Sequence, residues 1–149
     1  MSAVATELSE RCFDSADALV EALVGEMASQ LRAAVDARGQ AIIAVSGGSS
    51  PKRLFAQLSQ IDLPWSDVIV TQVDERWLPP EHEDSNARLI REHLLRDAAA
   101  DARFVPLKNA AATPEEGHAE VEAMLRKLGL PFDLVLLGMG EDGHTASLF

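Results

Sequence analysis

Three short stretches of this chain are too apolar to sit exposed to water: residues 41–45 read Ala-Ile-Ile-Ala-Val, 68–73 open with Val-Ile-Val, and 132–137 contribute Phe, Val and three leucines. Short, nearly continuous apolar runs of this kind mark strands buried on both faces, as in a parallel sheet covered by helices. The intervals between them carry helical periodicity, so strands and helices alternate and βαβ units follow. The expected fold is α/β: a mostly parallel open sheet, Rossmann-like, flanked by helices on both faces.

Residues 14–38 place Leu19, Leu23, Met27 and Leu31, with Val20, Val24 and Val35 beside them, at helical spacing. Asp14 or Ser15 serves as the cap and Gly39 as the stop. Residues 51–60 predict a second helix, with Pro51 in the first turn where a missing N–H is harmless. Pro79 and Pro80 end the segment after 68–73, and 85–96 predict a third helix through Leu89, Ile90, His93 and Leu94. Residues 104–107 are a weaker strand candidate. Thr113 and Glu116 form a capping box around Pro114 and open a last helix that closes at Gly129. No repeat, low-complexity segment or linker interrupts the chain, and its 149 residues are expected to form one domain.

Composition excludes several functions. A formal net charge of −11 leaves no basic stripe with which to neutralise a phosphate backbone, so no nucleic-acid partner is expected. An anionic ligand would have to be held by local features. Cys12 is the single cysteine, which rules out a disulfide framework or a thiolate metal cluster and points to a reducing, cytoplasmic setting. Residues 1–10 lack a basic start followed by an apolar run, and no stretch approaches the roughly 20 apolar residues of a membrane span. Neither export nor a membrane partner is expected.

Ligands of open parallel sheets bind beyond the carboxyl ends of the strands, and three loops share that address. Ser46-Gly47-Gly48-Ser49-Ser50-Pro51 follows the first strand, Asp74-Glu75-Arg76 the second, and residues 138–147, Gly-Met-Gly-Glu-Asp-Gly-His-Thr-Ala-Ser, the third. In the first loop, two glycines let bare backbone approach a ligand ahead of a helix N-terminus, which suits a phosphate; a tight turn with serine as helix cap is the plainer alternative. Arg76 can add a bidentate phosphate contact, and Asp74 can orient an imidazole or a sugar hydroxyl; a solvated charged turn is the alternative there. His144 is the only histidine of four in a glycine-rich loop at this edge, and an imidazole there can act as a general base near neutral pH, with Asp142 or Asp74 fixing its tautomer. A structural histidine is the competing reading. Gly138-Met139-Gly140-Glu141-Asp142-Gly143 also matches the dinucleotide pattern G-x-G-x-x-G, but its two carboxylates would lie where a pyrophosphate should sit.

Taken together, residues 46–51, 74–79 with Asp84-Ser85-Asn86, and 138–149 resemble the 6-phosphogluconolactonases of the glucosamine-6-phosphate isomerase/6-phosphogluconolactonase family. Glucosamine-6-phosphate deaminases share the Gly-Gly-Ser loop and the Asp-Gly-His segment. Arg76, the Asp-Ser-Asn at 84–86 and the Thr-Ala-Ser-Leu-Phe after His144 resemble the lactonase branch; Ser50 stands where that branch usually has Thr. The family's chains continue past this Leu-Phe, so the resemblance implies a domain incomplete at its C-terminus. It further implies hydrolysis of a sugar-phosphate lactone, 6-phospho-D-glucono-1,5-lactone, without metal or other cofactor. The site would comprise His144 and Asp74 as catalytic residues and Ser46, Gly47, Gly48, Ser49 and Arg76 as phosphate ligands. The full-length family is expected to be monomeric, whereas an unfinished sheet favours association. A deaminase-like enzyme and a non-catalytic sugar-phosphate binding fragment are the alternatives.

Overall fold

The computed structural model describes residues 8–148. Four parallel strands, β1 Ala41–Val45, β2 Val68–Gln72, β3 Arg103–Val105 and β4 Leu134–Leu136, form one sheet in the order β3-β2-β1-β4. The helices are α1 Ala16–Arg38, α2 Lys52–Leu58, α3 Asn86–His93 and α4 Pro114–Leu128.

Every residue of β1 and β2 is buried, as expected of central strands in a covered sheet. Side chains alternate between two cores. Ile43, Val45, Val68 and Val70 pack with Met27 and Leu31 of α1, Phe55 of α2 and Ile90 of α3. Ile42, Ile69 and Val105 face the other way, toward Met124 and Leu128 of α4 and Phe132. Helices therefore cover both faces, three on one side and one on the other.

The helix ends follow their chemistry. Ser15 Oγ accepts from the Ala18 N–H at 3.1 Å, and Gly39, at φ 74°, closes α1 through its N–H to Val35. Leu19 remains 40% exposed, so the buried stripe of α1 runs instead through Val24, Met27, Ala28, Leu31 and Ala34. Thr113 caps α4 by accepting from the Glu116 N–H. Helix α2 is shorter than its apolar pattern suggested, because the N–H groups of Gln60 and Ile61 turn to carbonyls three residues back. Helix α3 stops at His93 because, after the regular bond from the Leu94 N–H to the Ile90 carbonyl, the Leu95 N–H reaches back to that same carbonyl and the Arg96 N–H turns to Leu94. Two 3-10 turns, Trp65–Asp67 and Asp97–Asp101, were not apparent in the sequence pattern.

Asp133 sets the register of β4 against β1. Its Oδ2 accepts the Ile42 N–H at 2.7 Å, its own N–H donates to the Ile42 carbonyl, and its other oxygen pairs with Arg38. The chain steps outward from β1 to β2 to β3, then returns through α4 to pair β4 on the far side of β1. β1 thus stands between β2 and β4, and the crevice where such sheets bind ligands lies beyond the carboxyl ends of these neighbouring strands.

Candidate active site

The loops after β1, β2 and β4 meet at that crevice. Ser46, Gly47, Gly48, Asp74, Arg76, Asn86, Gly138, Gly140 and His144 are among the residues lining a cleft of about 380 Å³. Six of the seven residues singled out from the sequence are therefore brought together. The seventh, Ser49, lines an adjoining recess of about 180 Å³ that shares Gly48, Arg76 and Asn86 with the cleft.

Close backbone approach explains two of the glycines. A Cβ on Gly47 would overlap the Asn86 amide, and one on Gly140 would overlap the His144 ring. Ser46 is buried, whereas Gly48, Ser49 and Ser50 are exposed. No side chain caps α2, which is only two turns long.

The third loop folds back on itself. Gly140 donates its N–H to the His144 carbonyl at 2.8 Å, Gly143 to Gly140 at 2.9 Å, and Thr145 Oγ1 to the Gly138 carbonyl at 2.8 Å. No helix opens between β4 and residue 148, so the dinucleotide pattern lacks the helix N-terminus that would receive a pyrophosphate. That reading is set aside. Among the described residues, no group of three or more His, Cys, Asp or Glu side chains converges as a metal site.

His144 Nδ1 lies 2.5 Å from Asp142 Oδ1, and the His144 backbone N–H reaches the same oxygen at 3.2 Å. The ring hydrogen bond, reinforced by the backbone one, holds the Asp142 carboxyl below its ordinary range, so it is charged at neutral pH. A carboxylate on Nδ1 favours the tautomer with its proton there and its basic lone pair on Nε2. Asp74 has different partners. Its Oδ2 accepts from Ser147 Oγ at 2.6 Å, and its Oδ1 and carbonyl accept from Asn86 Nδ2 at 3.4 and 3.1 Å. Of the two carboxylates considered for orienting the imidazole, Asp142 is the one bonded to its ring, and Asp74 instead ties the second loop to the third. Ala146, at φ 52°, turns the chain so that Ser147 can make that tie. A non-glycine residue in this conformation costs about 1 kcal/mol.

Glu75, to which sequence reasoning assigned no role, is the most heavily bonded side chain of the second loop. It accepts from Gln72 Nε2 (2.8 Å), Ser85 Oγ (3.2 Å) and the backbone N–H groups of Arg76 (2.7 Å), Asn86 (2.9 Å) and Ala87 (2.9 Å). Burial alone would raise its pKa, but the Arg76 and Asn86 N–H groups, with Gln72 and Ala87, outweigh burial and hold it low. Asn86 was visible only as part of the Asp84-Ser85-Asn86 motif. Nothing in a separation of ten or more residues indicates that these groups meet.

The fold and the cleft define a class: parallel α/β proteins with a polar-lined cleft beyond the carboxyl ends of the strands. More narrowly, the chain belongs to the family of glucosamine-6-phosphate isomerases and 6-phosphogluconolactonases, which it matches over residues 14–149. It is 53% identical to the 6-phosphogluconolactonase of Rhizobium meliloti (strain 1021) over 137 residues, covering 92% of this chain and 59% of that protein. The crystal structure of a 6-phosphogluconolactonase from Shewanella baltica OS155 superposes with a TM-score of 0.90 at 50% identity, over 92% of this chain and 59% of that one. A monomeric glucosamine-6-phosphate deaminase shares the fold, with a TM-score of 0.75 at 19% identity over 88% of this chain and 55% of its own. The chain thus spans a little over half the length of these relatives.

Proposed function

We propose that this chain carries the catalytic groups of a hydrolase for 6-phospho-D-glucono-1,5-lactone, yielding 6-phosphogluconate in the oxidative pentose phosphate pathway of the cytoplasm. The observation that carries the reading is the meeting of the Ser46-Gly47-Gly48 loop, Arg76 and the Asp142-paired His144 in one cleft. Identities of 53% and 50% to lactonases, against 19% to the deaminase, support the lactone over the amino sugar as substrate.

The phosphate is held by backbone and hydroxyls of residues 46–49 and by Arg76, whose guanidinium matches a phosphate edge bidentately. Binding at this remote group positions the C1 carbonyl near His144. His144 Nε2 takes a proton from water as the oxygen attacks C1. The tetrahedral intermediate then breaks its C1–O5 bond, and the same imidazole returns the proton to O5. Asp142 stabilises the imidazolium between these steps. Asp74, at the cleft wall, accepts from a sugar hydroxyl.

The test is lactone hydrolysis measured against the spontaneous rate. His144→Ala is expected to lower kcat about a hundredfold or more; near-normal turnover in that variant defeats the general-base role. Arg76→Ala is expected to raise KM about tenfold or more with a smaller change in kcat, as loss of a phosphate anchor should. Binding of 6-phosphogluconate without hydrolysis selects a sugar-phosphate binding fragment, and ammonia release from glucosamine 6-phosphate selects the deaminase.

A further inference from the structure

Asp74 and Arg76 both line the cleft, yet the residue between them points elsewhere. Glu75 lines a separate recess with Leu78, Ala87 and Arg91. Its five donors come from three directions: Gln72 at the end of β2, Arg76 in its own loop, and Ser85, Asn86 and Ala87 at the start of α3. An ionised carboxylate has about four lone-pair sites, so this one is saturated. Gln72 is itself 3% exposed and accepts from the Leu107 N–H at 2.9 Å, which carries the anchorage to the segment after β3.

Immediately beyond Arg76 lies a second fixed point. Trp77 has φ 52°, its indole packs where a Cβ on Gly117 would stand, and its Nε1 donates to the Ala111 carbonyl at 3.1 Å. The Arg76 backbone is thus clamped between Glu75 and Trp77, while its side chain remains exposed at the cleft. Asn86, held through its backbone N–H by Glu75, in turn holds Asp74 through its amide. A single carboxylate therefore governs where both cleft-facing neighbours stand.

We infer that Glu75 is a positioning residue for the anion site, acting through Arg76: it fixes the loop backbone so that the guanidinium meets the phosphate held by residues 46–49. This rests on the phosphate role of Arg76 in the hydrolase reading. A helix cap that served α3 alone would affect stability without affecting the anion. Glu75→Gln is a sharp probe, since its NH₂ replaces an acceptor with a donor facing other donors.

The experiment is a double-mutant cycle on the full chain, with inorganic phosphate as the probe, titrated calorimetrically at a temperature where circular dichroism shows each variant folded. Glu75→Gln is expected to weaken phosphate binding about fivefold or more, and Glu75→Gln/Arg76→Ala to bind no more weakly than Arg76→Ala alone, within about twofold. Multiplying losses overturn the inference, as does unchanged affinity in a less stable Glu75→Gln. Should Glu75→Gln not fold, Glu75→Asp enters the cycle instead: it keeps the charge but is one methylene too short to span Arg76 and α3, and the same coupling is expected. Phosphate binding without lactone turnover defeats the hydrolase reading and leaves the cycle readable. Failure of the wild-type chain to bind phosphate overturns the inference together with the role of Arg76.

Discussion

The imidazole of His144 is held in place by one short contact and admitted by one missing side chain. Asp142 sits two residues away on the same loop, so its grip on Nδ1 depends on local turn geometry rather than on the distant core. Asp142→Asn keeps the shape but removes the charge that stabilises an imidazolium. We expect it to lower kcat about tenfold or more with KM nearly unchanged, measured by steady-state lactone hydrolysis. Gly140→Ala attacks the same feature sterically, because the new methyl overlaps the ring. Turnover should collapse while the far-ultraviolet circular dichroism stays that of the wild type; retained activity would mean that the ring position is not critical. The motif at 138–147 was legible in the sequence, but two carboxylates were candidates for the imidazole. Choosing between them required the fold, since Ser147 and Asn86 engage Asp74 only once three loops are brought together.

Helix α3 begins with two devices, the Ser85 hydroxyl on the Arg88 N–H and the Glu75 carboxylate on the first backbone N–H groups. The native Glu75 pKa lies below its unfolded value, so the native state is the one that releases the proton more readily. Its stabilisation is complete above the ordinary carboxylate range and is lost as pH falls through the depressed native pKa. Glu75→Gln should therefore flatten the fall in unfolding free energy below about pH 4.5, as read from urea titrations at several pH values. Parallel slopes for the two proteins would count against this linkage. At this scale the sequence was a good guide to where elements lie, because strand runs and caps are local signals. It overestimated α2 and α3, whose ends are set by carbonyls that the folded chain offers to particular N–H groups.

At the scale of the molecule, β4 is one of the two edges of the sheet. It pairs with β1, and no strand among the described residues pairs with its other edge. Val135 and Leu137 remain 49% and 55% exposed, with Met139 beyond them at 82%. Open apolar edges recruit further strands, so the chain should associate with rising concentration. Sedimentation velocity should show this, and Val135→Lys/Leu137→Lys should shift the distribution toward monomer; a wild-type chain that stays monomeric throughout would refute it. Among the described residues, no helix is long and apolar enough to cross a membrane.

The order of strands and helices, the parallel sense of the sheet and the three ligand-edge loops were determined by the sequence alone. These rest on short-range patterns: unbroken apolar runs, helical spacing, caps and glycines. The strand order β3-β2-β1-β4, the engagement of Asp74 by Ser147 and Asn86, the placing of Ser49 in a side recess and the hydrogen bonds of Glu75 to the start of α3 were decided only in three dimensions. Each depends on contacts between segments whose meeting is set by packing on both faces of the sheet, and no local pattern encodes that meeting.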